Sequence, residues 1–277
     1  NTYNESPINN RRTIQENKSR TARANNQFTL NKKLAKVGRT ISWNTTFNYN
    51  NNIGDGSLSG SNGFLAGGNP INQIIDQQKE DELTSSLLST DITYTEPLTK
   101  KVLLKTSYGF GLDNSASIKS TFIQPNGNNT YTERVDSLSS EFNSTILSHT
   151  VGAEIKFTEK KYNVTAGTKV RYSTFNQDDK VRNLNYDYNR LNLFPTLRFN
   201  YKFDQFRRFT FSYNGATKQP SISQIQPIQD NTNPLNIIVG NPNLKIAYNQ
   251  TFNINYFSYK VLSSRSLYAG IYFTNSF

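Results

Sequence analysis

Few residues in this chain have the type and spacing that chemistry requires. The single histidine, His149, alternates with Leu147 and Val151 on one side of a periodic stretch. That setting suits packing or an interfacial contact better than metal ligation. There is no cysteine, so thiol nucleophiles and Cys-based metal sites are absent. Two carboxylate groupings, Asp178-Asp179 and the acidic stretch from Asp76 to Glu82, have the chemistry to hold calcium. Neither has the spacing of an EF-hand loop, and both read as solvated acidic loops. Gly54 to Gly68 is rich in Gly and Ser but lacks the Lys-Ser/Thr pair of a phosphate-binding loop, and reads as a flexible loop. Asn129-Thr-Tyr misses the glycosylation motif, and the match at Asn44-Thr45-Thr46 falls inside a predicted strand. The sequence therefore predicts no catalytic residue, no cofactor and no metal site, and is not read as an enzyme.

Basic side chains are the remaining candidates. Lys and Arg number 31 against 20 Asp and Glu, a net charge of +11. Such a balance fits nucleic acid, an anionic membrane surface or an anionic ligand, and the positions of the charges decide among them. Arg11, Arg12, Lys18, Arg20 and Arg23 lie in residues 1–24, which show neither periodicity nor interleaved aromatics. This segment reads as a polar loop or an edge segment rather than a nucleic-acid arm. The other cations fall on a pattern. Lys105, Lys156, Lys169, Arg171, Arg198 and Lys202 each occupy the polar side of an alternating stretch.

Those stretches are the elements that must position the cations. In Ile41-Ser-Trp43-Asn-Thr45-Thr-Phe47-Asn-Tyr49, large residues alternate with small polar ones. A period of two places the two sets on opposite faces of a strand. The same alternation recurs from Val102 to Asp113, Leu147 to Phe157, Tyr162 to Tyr172, Leu191 to Phe203 and Leu244 to Tyr256. In every one of these strands the charges keep to the polar face. A charge facing lipid near the bilayer centre costs about 2–4 kcal/mol, so this exclusion is what a membrane barrel requires.

Composition agrees. The mean hydropathy is −0.68 and no run of about 18 apolar residues exists, which excludes transmembrane helices. Yet 16 Tyr and 18 Phe argue against disorder. A barrel hides its apolar signal by alternation, so both facts fit. Predicted connections are short near 35–39, 96–101, 158–161, 203–208 and 259–266, and long over 53–83, 113–141, 176–186 and 218–243. That asymmetry matches short periplasmic turns and long extracellular loops. Tyr94, Tyr162, Tyr201, Phe203, Tyr256 and Tyr259 are placed for an interfacial aromatic girdle. The expected fold is all-β: an antiparallel up-and-down transmembrane β-barrel with about ten strands present. Asn1-Thr2-Tyr3-Asn4 has neither the basic start nor the apolar core of a signal peptide, and the chain has no methionine. A piece of a longer polypeptide is expected, with Phe277 either a barrel-terminal aromatic or an internal break.

One block is more specific than alternation. It runs Phe209-Thr-Phe-Ser-Tyr213-Asn-Gly-Ala-Thr-Lys-Gln219-Pro220-Ser221, then Ile225-Gln226-Pro227, then Gly240-Asn241-Pro242-Asn243-Leu244-Lys245, then the strand from Tyr248 to Tyr256. This resembles the barrel of TonB-dependent receptors, above all the Bacteroidetes outer-membrane-protein β-barrel family. Gln219 stands where that family usually has Arg, and Ile246 or Ala247 where it has a second Pro. Lys36-Val-Gly-Arg-Thr-Ile-Ser resembles a hairpin of the same family. The resemblance spans residues 25–277, leaving 1–24 outside it.

The resemblance implies a fragment of a barrel of about 22 strands with a plugged lumen, in the outer membrane of a Gram-negative bacterium. No plug domain is present in this chain. Implied partners are outer-membrane lipid and lipopolysaccharide, TonB through a region outside this chain, and a surface lipoprotein or larger membrane complex. The implied function is uptake of a solute that the sequence does not name. The alternative is a structural or secretion-complex barrel without uptake. Gln219, Pro220, Ser221, Gly240, Asn241 and Pro242 read as loop-shaping residues. The six inward cations read as a basic wall that steers anions, pairs with acidic groups of a plug, or is simply solvated.

Overall fold

The computed structural model describes residues 9–66, 69–125, 130–230 and 238–277. Gly67, Gly68, Asn129 and residues 1–8, which enter the readings above, lie outside them. Ten long strands form one antiparallel sheet: β1 (Asn9–Lys33), β2 (Thr40–Ala66), β3 (Asn69–Pro97), β4 (Val102–Ile123), β6 (Ser140–Thr158), β7 (Tyr162–Asp179), β8 (Leu184–Lys202), β9 (Arg207–Lys218), β12 (Ala247–Lys260) and β13 (Arg265–Ser276). Each pairs with its neighbours in chain order, as in an up-and-down barrel, but β1 and β13 do not meet and the sheet is open. Three short strands, β5 (Glu133–Arg134), β10 (Gln229–Asp230) and β11 (Ile238–Val239), lie in the long connections, with a single-turn helix α1 (Ile222–Ile225). No helix among the described residues is long and apolar enough to cross a membrane.

The register separates two faces. Leu30, Trp43, Ile92, Tyr108, Val151, Val170 and Leu193 are successive Cα partners across seven strands, and every one is apolar or aromatic. Their outer positions leave Val151 61% and Leu193 52% exposed. One residue along, on the opposite face, the partners are Asn31, Ser42, Thr93, Ser107, Gly152, Lys169 and Phe194. Toward the long connections the outer face turns polar, and the row Glu82–Ile118–Glu141 carries charge. At the tight turns the outer aromatics touch in a chain. Phe157 meets Tyr162, Tyr162 meets Phe199, Tyr201 meets Phe203 at 4.8 Å between ring centres, and Phe203 meets Tyr256.

Several expected loops are strand. Residues 9–24, read as a polar loop or an edge segment, form the outer half of the edge strand β1, paired with β2 along its length. The Gly- and Ser-rich stretch that reads as a flexible loop continues β2 to Ala66. Asp76 to Glu82, expected in a loop, lies in β3. The reason is that β2 is hydrogen-bonded on both sides, so the ladder is complete whatever the side chains are. At about 3.3 Å per residue the 27 residues of β2 far exceed the roughly 9–11 that span a bilayer. Where both faces are wet, alternation disappears and the sequence signal goes with it.

The β1–β2 turn shows how the tight end is fixed. Gly38 has φ +83°, a left-handed conformation that glycine adopts without strain. That turn presents Lys36 and Arg39 to Glu96 of β3. Lys36 Nζ is 2.6 Å from Oε1, and Arg39 Nε is 2.7 Å from Oε2. Tyr94 also donates its hydroxyl to Glu96. The Lys-Val-Gly-Arg motif therefore ties the first hairpin to the third strand.

Candidate functional site: the inner face of the wall

All six cations singled out by alternation lie on the inner face by register. Lys105 is opposite Glu154, with Nζ 3.9 Å from Oε1. Lys156 and Arg198 both flank Thr165 of β7. Lys202 is opposite Arg208. Lys169 lies across Gly152, where a Cβ would come within 2.7 Å of its Cγ. Arg171 donates from Nε to Thr150 Oγ1 at 3.1 Å, and its guanidinium sits 5.0 Å from the Phe194 ring centre. By register Lys105, Lys156, Arg198 and Lys202 sit toward the tight turns, and Lys169 and Arg171 nearer mid-height. Acidic Asp91 and Asp113 share this face. Lys169, Arg171, Phe194, Thr150, Asp91 and Asn214 help line one hollow of about 280 Å³.

Glycine makes the hollow possible. At Gly109 a Cβ would stand 2.6 Å from Asp91 Oδ1, and at Gly111 2.7 Å from Ser148 Oγ. Each missing side chain lets a polar neighbour lie flat along the wall.

The other carboxylate groupings serve structure. Asp179 is 1% exposed and held by Arg182, whose Nη1 is 2.8 Å from Oδ2 and whose amide donates to Oδ1. Asp76 accepts the Tyr131 hydroxyl at 2.6 Å. Among the described residues no group of three or more His, Asp or Glu gathers to hold a metal ion. His149 sits on the outer face. Its Nδ1 is 2.8 Å from the Tyr108 hydroxyl, and Phe110 meets its ring edge-on.

The loop motif folds back onto the inner face. Gln219 and Pro220 leave β9, and the Ser221 amide donates to Gln224 Oε1 at 2.9 Å, closing the first turn of α1. Gln226 is 0% exposed and bonds Ser117 of β4 in both directions: it accepts from Oγ at 3.3 Å and donates to the carbonyl at 3.5 Å. Gly240 passes so close that a Cβ there would lie 1.9 Å from the Gln226 carbonyl oxygen. The Asn241 amide donates to the Gln224 carbonyl at 2.8 Å, and Asn241 Oδ1 accepts from the Asn243 amide at 2.9 Å across Pro242. Residues 219–221 and 240–242, some twenty positions apart, are therefore brought to one clasp.

Sequence reasoning missed four residues here: Phe142, Phe175, Phe194 and Gln226. The three phenylalanines occupy inner positions, where alternation calls for polar groups. Phe142 and Phe175 are 0% and 2% exposed, and Phe175 stacks on Tyr188 at 4.5 Å. Their breaking of parity was the available signal. Gln226 was visible only as part of the Ile225-Gln226-Pro227 element, and its seat on Ser117 was not, because that partner is 109 residues away.

A sequence profile of the outer membrane protein beta-barrel family matches residues 32–277. No match was found among curated proteins. Among solved structures, the unliganded ferric citrate transporter FecA superposes with a TM-score of 0.53 at 10% identity, over 86% of this chain and 34% of that one. The ferripyoverdine receptor of the outer membrane of Pseudomonas aeruginosa superposes with a TM-score of 0.48 at 10% identity, over 98% of this chain and 45% of that one. The receptor FauA from Bordetella pertussis gives 0.47 at 9% identity, over 97% and 44%. The chain thus spans less than half the length of the structures it resembles. The profile match, the apolar outer face and the barrel topology agree: the chain belongs to the outer membrane protein β-barrel family and forms an open section of a wall in the outer membrane.

Proposed function

We propose that this chain is the C-terminal part of the barrel of a TonB-dependent receptor that takes up a solute across the outer membrane. The observation that carries this reading is the wall itself. Its outer face is apolar, its inner face is polar and cationic, and it shares the FecA fold over 86% of its length. The long connections face the cell exterior and the tight turns face the periplasm, as in other barrels of this kind.

On this reading the basic wall of Lys105, Lys156, Lys169, Arg171, Arg198 and Lys202 draws an anionic solute, or an acidic surface of a plug, along the inside of the barrel. Cations on low-dielectric walls raise the local concentration of anions and speed their capture. The motif residues Gln219, Pro220, Ser221, Gly240, Asn241 and Pro242 shape the mouth and bind no solute. TonB supplies energy through a region outside this chain, and lipopolysaccharide surrounds the barrel.

The test is accumulation of scarce anionic solutes by intact cells with and without the gene, with ferric citrate as the first probe. Uptake that requires the gene and collapses with a protonophore supports the reading. A deletion strain with unchanged uptake of every solute, together with stable co-purifying partners, replaces the importer with a structural barrel.

A further inference from the structure

We propose that two inturned segments, 219–229 with its return 238–245 and 130–139, form a fixed strap across the inner face. The strap narrows the barrel mouth and limits the size of solute that reaches the basic wall. It holds for an importer and for a scaffold barrel alike, and takes from the reading above only which end faces outward.

Three observations carry it. First, the best-packed part of the molecule is not between two sheets but between this wall and these segments. Ile225 and Gln226 of one segment and Ser139 of the other are buried, as are the wall residues Ser117, Thr121, Phe142 and Asp179. Second, the wall offers a prepared seat. Leu83, Ser117, Phe142, Asp179 and Leu184 are successive register partners on the inner face. Gln226 bonds Ser117 in that row, while Thr121 holds the other segment through Ser139 Oγ and the Leu138 carbonyl, both at 3.0 Å. Third, the two segments meet. Leu138, Ile228 and Gln229 close over one hollow of about 330 Å³, and β10 packs beside the 3-10 turn Asp136–Leu138.

Height in the barrel follows from the register. Leu112 and Leu147 are partners at the upper limit of the apolar outer face. Ser117 lies five residues further along β4, level with Leu83 and next to the charged row of Glu82 and Glu141. The strap therefore spans the mouth above the bilayer, not its middle. A buried glutamine with both amide atoms bonded resists leaving its seat, since departure breaks bonds to a wall that it also covers. The strap is a fixed constriction rather than a swinging lid.

The experiment uses the full-length protein in intact cells. Ser117→Cys with Gln226→Cys tests the seat, and a cross-link by a short bifunctional thiol reagent of about the length of a glutamine side chain, found by peptide mapping of the heat-modifiable, folded protein, is expected. Ser115→Cys, one inner position below the seat, tests access to externally added maleimides of graded size. A small reagent is expected to label it, and a bulky polyethylene-glycol maleimide to be excluded. Adding Gly240→Val, whose side chain collides with the Gln226 carbonyl, is expected to raise bulky labelling roughly fivefold or more. Gln226→Ala repeats the test without backbone strain, so a folding failure of the valine variant is not decisive. Absence of the cross-link in folded protein overturns the seat. Equal bulky labelling with and without the strap substitutions overturns the constriction. Failure of the small reagent in intact but not in permeabilised cells instead refutes the outward orientation.

Discussion

Val151 lies within the seven-strand row of apolar and aromatic residues, between Tyr108 and Val170. Val151→Arg is expected to lower folded stability in lipid vesicles by about 2–4 kcal/mol, read by denaturant titration. The same substitution at Ser107, its partner's neighbour on the inner face, is expected to cost far less, because water and polar groups line that face. Equal losses at the two positions would contradict the assignment of faces. Phe142 makes the complementary case. It sits on the wet side yet is fully buried beneath the strap. Phe142→Ala is expected to cost about 3–5 kcal/mol, a core-like penalty on a face that alternation marks as polar.

At the level of elements, the tight turns are fixed by local charge. Asp204 accepts from the amides of Phe206 and Arg207 and pairs with Arg207 at 2.6 Å, and those bonds hold its carboxyl below the usual range, the Phe206 amide foremost. Glu159, bonded by Lys101, is lowered too. A carboxylate with a depressed folded value adds stability above its unfolded value and loses it as the pH falls through the folded one. Acidification below about 4 is therefore expected to loosen the β8–β9 and β6–β7 turns, seen as faster amide exchange at Phe206 and Arg207. In Asp204→Asn that pH dependence should vanish. The β1–β2 turn fails differently. Gly38→Val meets only ordinary contact with Pro97 at 3.5 Å, so its expected cost of about 1–3 kcal/mol comes from the positive φ, not from crowding. Slippage of the Lys36 and Arg39 pairs from Glu96 would accompany it.

At the level of the whole molecule, the outer face has no soluble alternative. Its apolar rows run across the sheet, and a surface of that extent needs lipid or a covering partner. The full-length protein is expected to fractionate with outer membranes and to need detergent for extraction, and a monodisperse aqueous monomer would contradict that. How much of this was legible in the chain depends on where a residue stands. Within the bilayer band, water on one side and hydrocarbon on the other imprint a period of two, so strand identity and the alternation of faces follow from sequence alone. The Lys36–Arg39 and 219–242 motifs were visible as motifs, but not as a clip on Glu96 and a clasp around Gln226. Above the band both faces are wet, and the long reach of β1, β2 and β3 is held by backbone ladders that leave no side-chain pattern. Only the tertiary structure seated Gln226 on Ser117, because a contact across 109 residues depends on how the sheet brings its strands together and not on any local preference.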